Sequence, residues 1–323
     1  MKVLVTGGTG FVGSHLAEAL CRRKDQVTAL ARSPVKARTL AGLGIRVIEG
    51  HLDDRAAIAA AVEGQELIYH VAGVVASSDE AGFQRANVEG TRNLLAAAAL
   101  EARRPRVVLV SSMAAAGPAS PGHPLVGTEP PRPVTAYGRS KLAAEALVTG
   151  SGLPWTILRP PTVYGPRDRE VLKLFRLARL GLVPVFGDGR QELSAVYVLD
   201  LADALIAAAI SRTALGGIYY PCHPQVFSGA EFVRTIGKAM GKRLRVLPVP
   251  STVGRGLLAV TQLAARLSRQ PTILTVDKGN EFFQPAWTGD PQPMTRDTGW
   301  RAVYDLERGL KETWRWYRSA GWL

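Results

Sequence analysis

The sequence contains few cysteines and no long uninterrupted apolar segment. Its two cysteines, Cys21 and Cys222, are far apart, so neither a disulfide framework nor a zinc-binding spacing is present. The chain starts with a strand-like run at residues 2–5 instead of the charged and apolar regions of a secretory signal. A membrane-spanning helix needs about 18 or more consecutive apolar residues, and no such run occurs. We therefore expect a protein of a reducing, cytoplasmic compartment.

Internal repeats and low-complexity segments are also missing, and acidic residues are in deficit. Apolar residues make up 46% of the 323 residues, which is enough for a sizeable core and argues against extensive disorder. The 27 acidic residues against 40 basic ones give a net charge of +13. A basic surface favours anionic partners such as phosphorylated cofactors, acidic lipid surfaces or nucleic acids. Many enzymes that bind neither lipid surfaces nor nucleic acids also have a basic surface.

Strand-like and helix-like segments alternate in the first half of the chain. Strands are predicted at residues 3–6, 26–31, 45–48, 67–71, 106–111 and 155–158. Helices are predicted at residues 11–23, 56–62, 82–102 and 136–149. This alternation is typical of βαβ units and predicts an α/β protein with a doubly wound, parallel Rossmann sheet. We expect residues 1–165 to form this domain with residues 194–217 returning to it, and residues 166–193 and 218–323 to form a smaller C-terminal substrate lobe.

A glycine-rich turn follows the first predicted strand. Residues 6–13 read Thr-Gly-Gly-Thr-Gly-Phe-Val-Gly, with spaced glycines at Gly7, Gly10 and Gly13. Such glycines permit a sharp turn, close approach of a pyrophosphate and tight packing of the next helix, whose N-terminus attracts phosphate. The position between a strand and a helix is the context that a dinucleotide-binding site requires.

The end of the second predicted strand indicates which dinucleotide is bound. NAD enzymes typically place an acidic residue there to hold the ribose 2′-hydroxyl. This chain has Ala31 followed by Arg32 and Ser33. Arginine can hold a 2′-phosphate by charge-assisted hydrogen bonds. NADP(H) is therefore favoured, and use of NAD(H) with Arg32 in solvent is the alternative.

Tyr137 and Lys141 are four residues apart and share one face of a predicted helix. A nearby ammonium favours the phenolate, so we expect the pKa of Tyr137 to lie closer to neutrality than that of free tyrosine. Ser112 ends the fifth predicted strand and can hydrogen-bond the same substrate oxygen. The three residues together predict proton transfer at a carbonyl or alcohol oxygen.

With these motifs the chain resembles the extended short-chain dehydrogenase/reductase family, also called the NAD-dependent epimerase/dehydratase family. The resemblance extends over nearly the whole chain and includes the segments 6–13, 87–91, 111–112, 137–141, 159–160, 163–166, 187–189 and 198–201. It implies a catalytic triad of Ser112, Tyr137 and Lys141, with Lys141 also holding the nicotinamide ribose. Asn87 belongs to the same region, although a helix N-cap is an equally good interpretation, and His70 is interpreted as a packed histidine.

The cofactor is expected to contact the glycine-rich turn, the ends of the second to fourth strands, the catalytic helix and the segment after the sixth strand. These residues are Gly7, Thr9, Gly10, Phe11, Val12, Gly13, Arg32, Ser33, Leu52, Asp53, Val71, Ala72, Gly73, Asn87, Tyr137, Lys141, Pro160 and Val163. No metal site is expected.

Several positions depart from the pattern of the family. His51 stands where many members have an adenine-binding Asp, so Leu52 and Asp53 are left as candidates for that side. Met113 replaces the acidic residue that dehydratases have after the active-site hydroxyl. Thr162 and Leu193 stand where nucleotide-sugar epimerases have Asn and Arg. Arg167, Arg169 and Arg190 are alternative phosphate ligands or a solvated rim. The resemblance is therefore closer to the 3β-hydroxysteroid dehydrogenases and ketoreductases than to the epimerases.

Residues 251–269 have an amphipathic helical pattern. Its apolar face consists of Val253, Leu257, Val260, Ala264 and Leu267. Its polar face consists of Arg255, Gln262, Arg266 and Arg269. Two interpretations are open: the apolar stripe docks the helix onto the lobe, or the helix lies at a membrane surface and admits an apolar substrate.

The leading hypothesis is an NADP(H)-dependent enzyme that interconverts a ketone and a secondary alcohol on a small apolar substrate. The lobe sequence from Leu244 to Leu274, rich in Leu, Val and Ala, favours such a substrate. A nucleotide-sugar epimerase is one alternative. A non-catalytic cofactor sensor or nucleic-acid-binding protein is another, against which the intact triad argues. Expected partners are the substrate, a second copy in a homodimer and, peripherally, an anionic membrane; nucleic acid is not expected.

Overall fold

The computed structural model describes residues 1–268 and 272–323. Its strands, numbered along the chain, are β1 (Lys2–Thr6), β2 (Gln26–Ala31), β3 (Arg46–Glu49), β4 (Leu67–His70), β5 (Arg106–Val110), β6 (Trp155–Leu158), β7 (Thr162–Tyr164), β8 (Leu182–Phe186), β9 (Glu192–Leu193), β10 (Ala195–Tyr197), β11 (Ile218–Tyr219), β12 (Phe227–Ser228), β13 (Arg245–Val249) and β14 (Ala286–Trp287). Seven of them form a parallel sheet in the order β11-β6-β5-β4-β1-β2-β3. This is the doubly wound Rossmann order, which the alternation of strands and helices predicts.

Helices cover both faces of this sheet and build much of the C-terminal part. They are α1 (Phe11–Arg22), α2 (Pro34–Ala41), α3 (Arg55–Val62), α4 (Glu80–Phe83), α5 (Gly90–Leu100), α6 (Met113–Ala116), α7 (Ala136–Thr149), α8 (Glu170–Ala178), α9 (Val198–Ile210), α10 (Gly229–Ala239), α11 (Ser251–Ser268), α12 (Val276–Phe282), α13 (Gln292–Thr298) and α14 (Leu306–Ser319). A π-helical segment, Gln84–Glu89, joins α4 to α5. Within the described residues, no helix combines the length and apolar character needed to cross a bilayer.

The central strands are apolar on both faces because helices cover both sides of the sheet. In β1, Val3 and Val5 pack on one face with Leu16 and Leu20 of α1. Leu4 points to the opposite face, where it belongs to the core formed with α3 and α5. Side chains alternate along a strand in this way, so a continuous apolar run fills both cores.

The predicted Rossmann fold is confirmed, and several elements have the predicted bounds. β2, β6 and α7 begin and end at the predicted residues. The helix predicted over residues 82–102 is interrupted by the π-helical segment and ends at Leu100. α6 and β7, with four and three residues, are too short for a periodicity that would predict them, and α2 is also not among the predicted helices.

Small sheets and helices form the C-terminal part. β8 pairs with β13, and β9 lies between β12 and β14. Aromatic residues from several segments pack there, among them Phe175, Tyr197 and Tyr317. β11 pairs with β6, so the segment that returns to the central sheet extends two residues beyond the predicted boundary at residue 217. The division into a cofactor domain and a substrate lobe otherwise stays a prediction.

The amphipathic helix α11 packs through a face that its apolar periodicity does not indicate. Its buried side chain is Leu258, and Gly254 lies so close to Phe283 that a Cβ atom there would be 2.8 Å from that ring. The apolar stripe instead faces solvent; its members are Val253, Leu257, Val260, Ala264 and Leu267. Docking of the helix by this stripe is therefore wrong, because the inner face is formed by Leu258 together with Gly254, Thr261 and Gln262. Arg269 and the side chain of Arg266 lie outside the described residues.

A buried ion pair joins α7 to the segment after β6. Arg159 donates to both carboxylate oxygens of Glu145, at 2.9 and 2.6 Å, and both side chains are almost fully buried. The hydroxyl of Ser111 also donates to Glu145, and Arg159 donates to the hydroxyl of Tyr220 at 3.1 Å. Burial alone would lower the pKa of Arg159, but Glu145 raises it overall. Each charge is thus compensated inside the protein.

Removing one partner of this pair should be costly because it leaves the other charge buried and unpaired. We predict that Glu145→Gln lowers the free energy of unfolding by about 3–5 kcal/mol. Urea denaturation monitored by fluorescence measures this change. Glu80→Gln is the matched control, since Glu80 pairs with Arg139 at the surface and should lose no more than about 1 kcal/mol. Similar losses in the two variants would contradict the account of the pair.

Candidate active site

The glycine-rich turn forms a cradle that fits a diphosphate. Gly7 has a φ of +73°, and a Cβ atom on it would lie 2.7 Å from the Ala72 nitrogen. At Gly13, a Cβ atom would lie 2.2 Å from the carbonyl oxygen of Gly7. α1 begins at this turn with no side-chain cap and no acidic residue in its first turn. Its first N–H groups and its positive dipole end are therefore available to phosphate oxygens.

Arg32 follows β2 at the rim of the same cleft. Its side chain is exposed and lines the cleft. Ser33 follows it directly but is not among the lining residues. Arg32 therefore lies in the cleft where the sequence predicts a 2′-phosphate contact, and the contact of Ser33 stays a prediction.

The loop after β3 borders the cleft on the side expected for adenine. Asn93 donates to the carbonyl of Leu52 at 2.8 Å, and the Leu52 side chain lies against Gly90, which fixes the loop. Leu52 and Asp53 both line the cleft. The carboxylate of Asp53 is paired with the imidazole of His51, and both side chains are more than half exposed.

The structure brings the three candidate catalytic residues together at the ends of β5 and α7. Ser112 lies beside the Tyr137 hydroxyl and lowers the pKa of that group. Lys141 donates from Nζ to the carbonyl oxygen of Val110 at 2.7 Å. Thr135 caps α7 by accepting from the Gly138 N–H at 3.1 Å. All three candidates line the cleft, and their catalytic role stays a prediction.

The expected lowering of the pKa of Tyr137 is wrong. Burial raises it to about 12, and Ser112 offsets only part of this rise. Lys141 does not act as expected because its ammonium is directed to the Val110 carbonyl, and burial lowers its own pKa to about 8. Tyr137 is therefore a protonated phenol at neutral pH, which suits it to donate a proton.

Asn87 and His70 lie next to the site and form hydrogen bonds with the residues around it. Asn87 accepts from the Val74 N–H at 2.8 Å and donates to Ser140 at 2.9 Å, so it fixes the backbone beside the cleft without lining it. It lies in the π-helical segment and is not a helix N-cap. His70 is fully buried between the hydroxyls of Thr6 and Thr91, and burial lowers its pKa to about 3. It is a neutral, packed residue, as its sequence position indicates.

Helix α12 packs over the start of α7, which the sequence does not predict. Asp277 accepts from the Ala136 N–H at 3.0 Å, and Glu281 accepts from the Thr135 hydroxyl at 2.6 Å. The ammonium of Lys278 lies 5.1 Å from the centre of the Tyr137 ring. These contacts join residues about 140 positions apart, and no local pattern indicates them.

One continuous cleft of about 1990 Å³ runs from the glycine-rich turn past Tyr137 into the C-terminal part. Its walls beyond Tyr137 are mostly apolar and include Leu174, Leu177, Val185, Phe186, Leu193, Phe227, Leu257, Phe282 and Trp287. A cleft of this composition gains by burying apolar surface.

The three arginines considered as phosphate ligands have other surroundings. Arg167 donates to Ser14 and Glu18 of α1, which places it beside the glycine-rich turn. Arg169 lies over the ring of Trp322 at 5.5 Å. The side chain of Arg190 is 90% exposed and does not line the cleft. This agrees with the interpretation of Arg190 as a solvated residue at the rim.

The model of the NAD dependent epimerase/dehydratase family matches residues 3–219. A ceramide reductase of Caulobacter vibrioides is 31% identical over 326 residues, which cover 99% of this chain and 96% of the relative. A 3-beta-hydroxysteroid dehydrogenase of Mycolicibacterium neoaurum is 27% identical, with 98% of this chain and 91% of the relative covered. The resemblance to the reductase and steroid dehydrogenase members is thereby confirmed.

The solved structures agree with this placement. The UDP-glucose 4-epimerase of Thermus thermophilus, in complex with NAD, superimposes with a TM-score of 0.80 at 26% identity, and 99% of this chain and 100% of that one are covered. The family match covers more than half of the chain and includes the whole cradle for the dinucleotide. The chain therefore belongs to the NAD-dependent epimerase/dehydratase family and is an enzyme of its NAD(P)-dependent oxidoreductase type.

Proposed function

We propose that the protein is an NADP(H)-dependent reductase that interconverts an apolar ketone and its secondary alcohol. The observation that carries this proposal is the partly buried, protonated Tyr137, with Ser112 beside its hydroxyl, at the point where the cofactor cradle meets an apolar cleft. A proton donor at this point serves a carbonyl oxygen that becomes an alcohol.

Such a reaction needs a hydride donor, a proton donor and groups that hold the substrate oxygen. When bound, the nicotinamide supplies a hydride to the carbonyl carbon. Ser112 and Tyr137 hold the carbonyl oxygen by hydrogen bonds, and Tyr137 transfers its proton to that oxygen as negative charge develops there. Lys141 contributes a positive charge where the nicotinamide ribose is expected. Its hydrogen bond to the Val110 carbonyl fixes its position.

The apolar substrate class rests on the walls of the cleft. Thr162 and Leu193 both line it, and neither can bind a diphosphate as an arginine would. Arg167 and Arg169 line the cleft as well, but Arg167 is paired with Glu18 and Arg169 lies over the Trp322 ring, so a diphosphate buried there would have to compete for them. Ceramide, named for one relative, is a lipid, and a steroid, named for another, is likewise apolar. Reductases of such compounds support the same class of substrate here.

The nucleotide-sugar epimerase is the weaker candidate. Its support is the fold, which a solved epimerase shares. Fold alone does not determine function, and Arg190, the residue that would restore a phosphate contact in the lobe, is in solvent. For the non-catalytic and nucleic-acid-binding alternatives, the net charge of +13 is the supporting feature, but the closely placed Ser112, Tyr137 and Lys141 favour catalysis.

Arg32 is expected to determine the choice of cofactor. A hydrogen bond to a charged group contributes about 1.5–3 kcal/mol, so NADPH should bind at least about tenfold more tightly than NADH. Arg32→Asp should reverse this order by repelling the 2′-phosphate. Fluorescence titration of each variant with both cofactors measures the affinities. Arg38→Asp, an exposed arginine of α2 outside the cleft lining, is the control and should keep the preference. Equal affinities in the wild type would refute the assignment.

Tyr137 is expected to be the proton donor. Tyr137→Phe should lower the rate of ketone reduction by about 10²–10⁴-fold, the usual contribution of a general acid, because the ring stays and the proton is lost. The variant should still bind NADPH through Gly7, Gly10 and Gly13, which fluorescence measures. Reduction at the wild-type rate by this variant would show that another group donates the proton.

The pH profile of the wild type is the companion measurement. Lys141 is charged below its pKa of about 8 and neutral above it. The rate should therefore be constant through neutrality and fall as the pH rises above about 8, well before Tyr137 loses its proton near its pKa of about 12.

A further inference from the structure

Helix α11 presents an apolar stripe to solvent on the outside of the protein. Leu263 extends the stripe defined above, next to Ala264. The long apolar side chains of the extended stripe, Val253, Leu257, Val260, Leu263 and Leu267, follow one another at intervals of three or four residues, and their exposed fractions lie between 51% and 80%. At 1.5 Å per residue, the stripe is about 21 Å long. Contiguous apolar surfaces of this kind on a soluble domain are typical of interaction sites.

The side of α11 opposite the stripe packs against the rest of the protein. The exposure of the stripe therefore does not come from a rotation of the helix that leaves its packing face in solvent. Leu258 is 1% exposed. Thr261 donates to the carbonyl of Leu274 at 2.8 Å, and Gln262 accepts from the Val276 N–H at 3.0 Å. The helix is thus held from inside while its long apolar side chains stay in water.

The two-stranded sheet before α11 extends the apolar surface. β13 leads into α11, and in its register with β8 Leu182 lies opposite Arg245 and Pro184 opposite Leu247. All four of these side chains are exposed. We define the outer face as these four residues together with the stripe of α11.

The segment that carries most of the outer face is basic. Residues 232–276 contain no Asp or Glu. The exposed basic residues among its described side chains are Arg234, Lys238, Lys242, Arg243, Arg245 and Arg255. Clustered Lys and Arg next to an amphipathic helix are typical of binding to anionic lipid headgroups.

The cleft also borders helix α11. Leu257 belongs to the stripe and also lines the cleft, and Ile273 and Leu274 line it close by. Phe186, at the end of β8, is a further lining residue. An apolar molecule that leaves the outer face therefore meets mostly apolar side chains on its way to Tyr137, and Lys278 and Glu281 are the charged groups beside that residue.

The charge also decides between two occupants of the outer face. In an isologous dimer each surface patch meets its own copy, so Arg245 and the basic residues next to it in the chain would approach those of the second copy, and the segment 232–276 contains no carboxylate to pair with them. An anionic bilayer offers an apolar interior to the stripe and negatively charged headgroups to the basic residues. We propose that the outer face docks onto an anionic phospholipid bilayer and that the substrate enters the cleft laterally from the lipid. The entry route rests on the proposed function, whereas the docking does not.

The docking is tested with vesicles and two matched double variants. Val260→Glu/Leu263→Glu places two carboxylates in the stripe at positions that do not line the cleft. Leu100→Glu/Val303→Glu makes the same change at exposed positions of α5 and the segment before α14. Flotation with phosphatidylcholine vesicles, with and without phosphatidylglycerol, measures binding, and thermal unfolding verifies that each variant is folded.

Wild type and the Leu100/Val303 variant should float with the phosphatidylglycerol vesicles and lose binding as salt is raised. The Val260/Leu263 variant should bind at least about tenfold more weakly. It should also reduce a long-chain ketone in vesicles more slowly while reducing a short water-soluble ketone at the wild-type rate.

Absence of wild-type binding to the anionic vesicles would overturn the proposal. So would equal binding by the two variants, or sedimentation showing that the wild type is a dimer that Val260→Glu/Leu263→Glu alone dissociates without any change in vesicle binding. Vesicle binding that depends on the stripe, together with no reduction of any ketone, would support the docking and refute the proposed function.

Discussion

The attachment of α7 to the ends of β5 and β6 is the constraint on which the site depends. Tyr137, Lys141 and Glu145 follow one another at intervals of four residues and therefore share one face of α7. Lys141 donates to the backbone of β5, and Glu145 holds Arg159 after β6. These buried bonds fix the rotation of the helix about its axis, and the direction of the Tyr137 hydroxyl toward Ser112 follows from it.

The burial that secures this attachment also determines the proton chemistry. It raises the pKa of Tyr137 and lowers that of Lys141, to about 12 and about 8 respectively. At neutral pH both groups carry their protons. In the proposed reaction, Tyr137 would give its proton to the substrate oxygen, and Lys141 would contribute a positive charge to the same site.

The sequence predicts what is local and misses what depends on packing. The glycine-rich turn and the bounds of α7 follow from residues adjacent in the chain. The apolar periodicity of α11 correctly identifies an apolar face but cannot tell which face packs, because the contacts of Gly254 and Thr261 come from other segments. The contacts of Asp277 and Glu281 with the start of α7, and the burial that sets the pKa of Tyr137, likewise arise only when the chain is folded.

Transfer of deuterium is the most direct test of net reduction of an apolar ketone. The protein is incubated with NADPH carrying deuterium at the reactive carbon and with a long-chain 3-oxoalkanoate, and the products are analysed by mass spectrometry. The account predicts one deuterium on the new carbinol carbon and stoichiometric oxidation of the cofactor. No transfer to this ketone, together with inversion of a UDP-sugar without net cofactor oxidation, would contradict it and identify an epimerase.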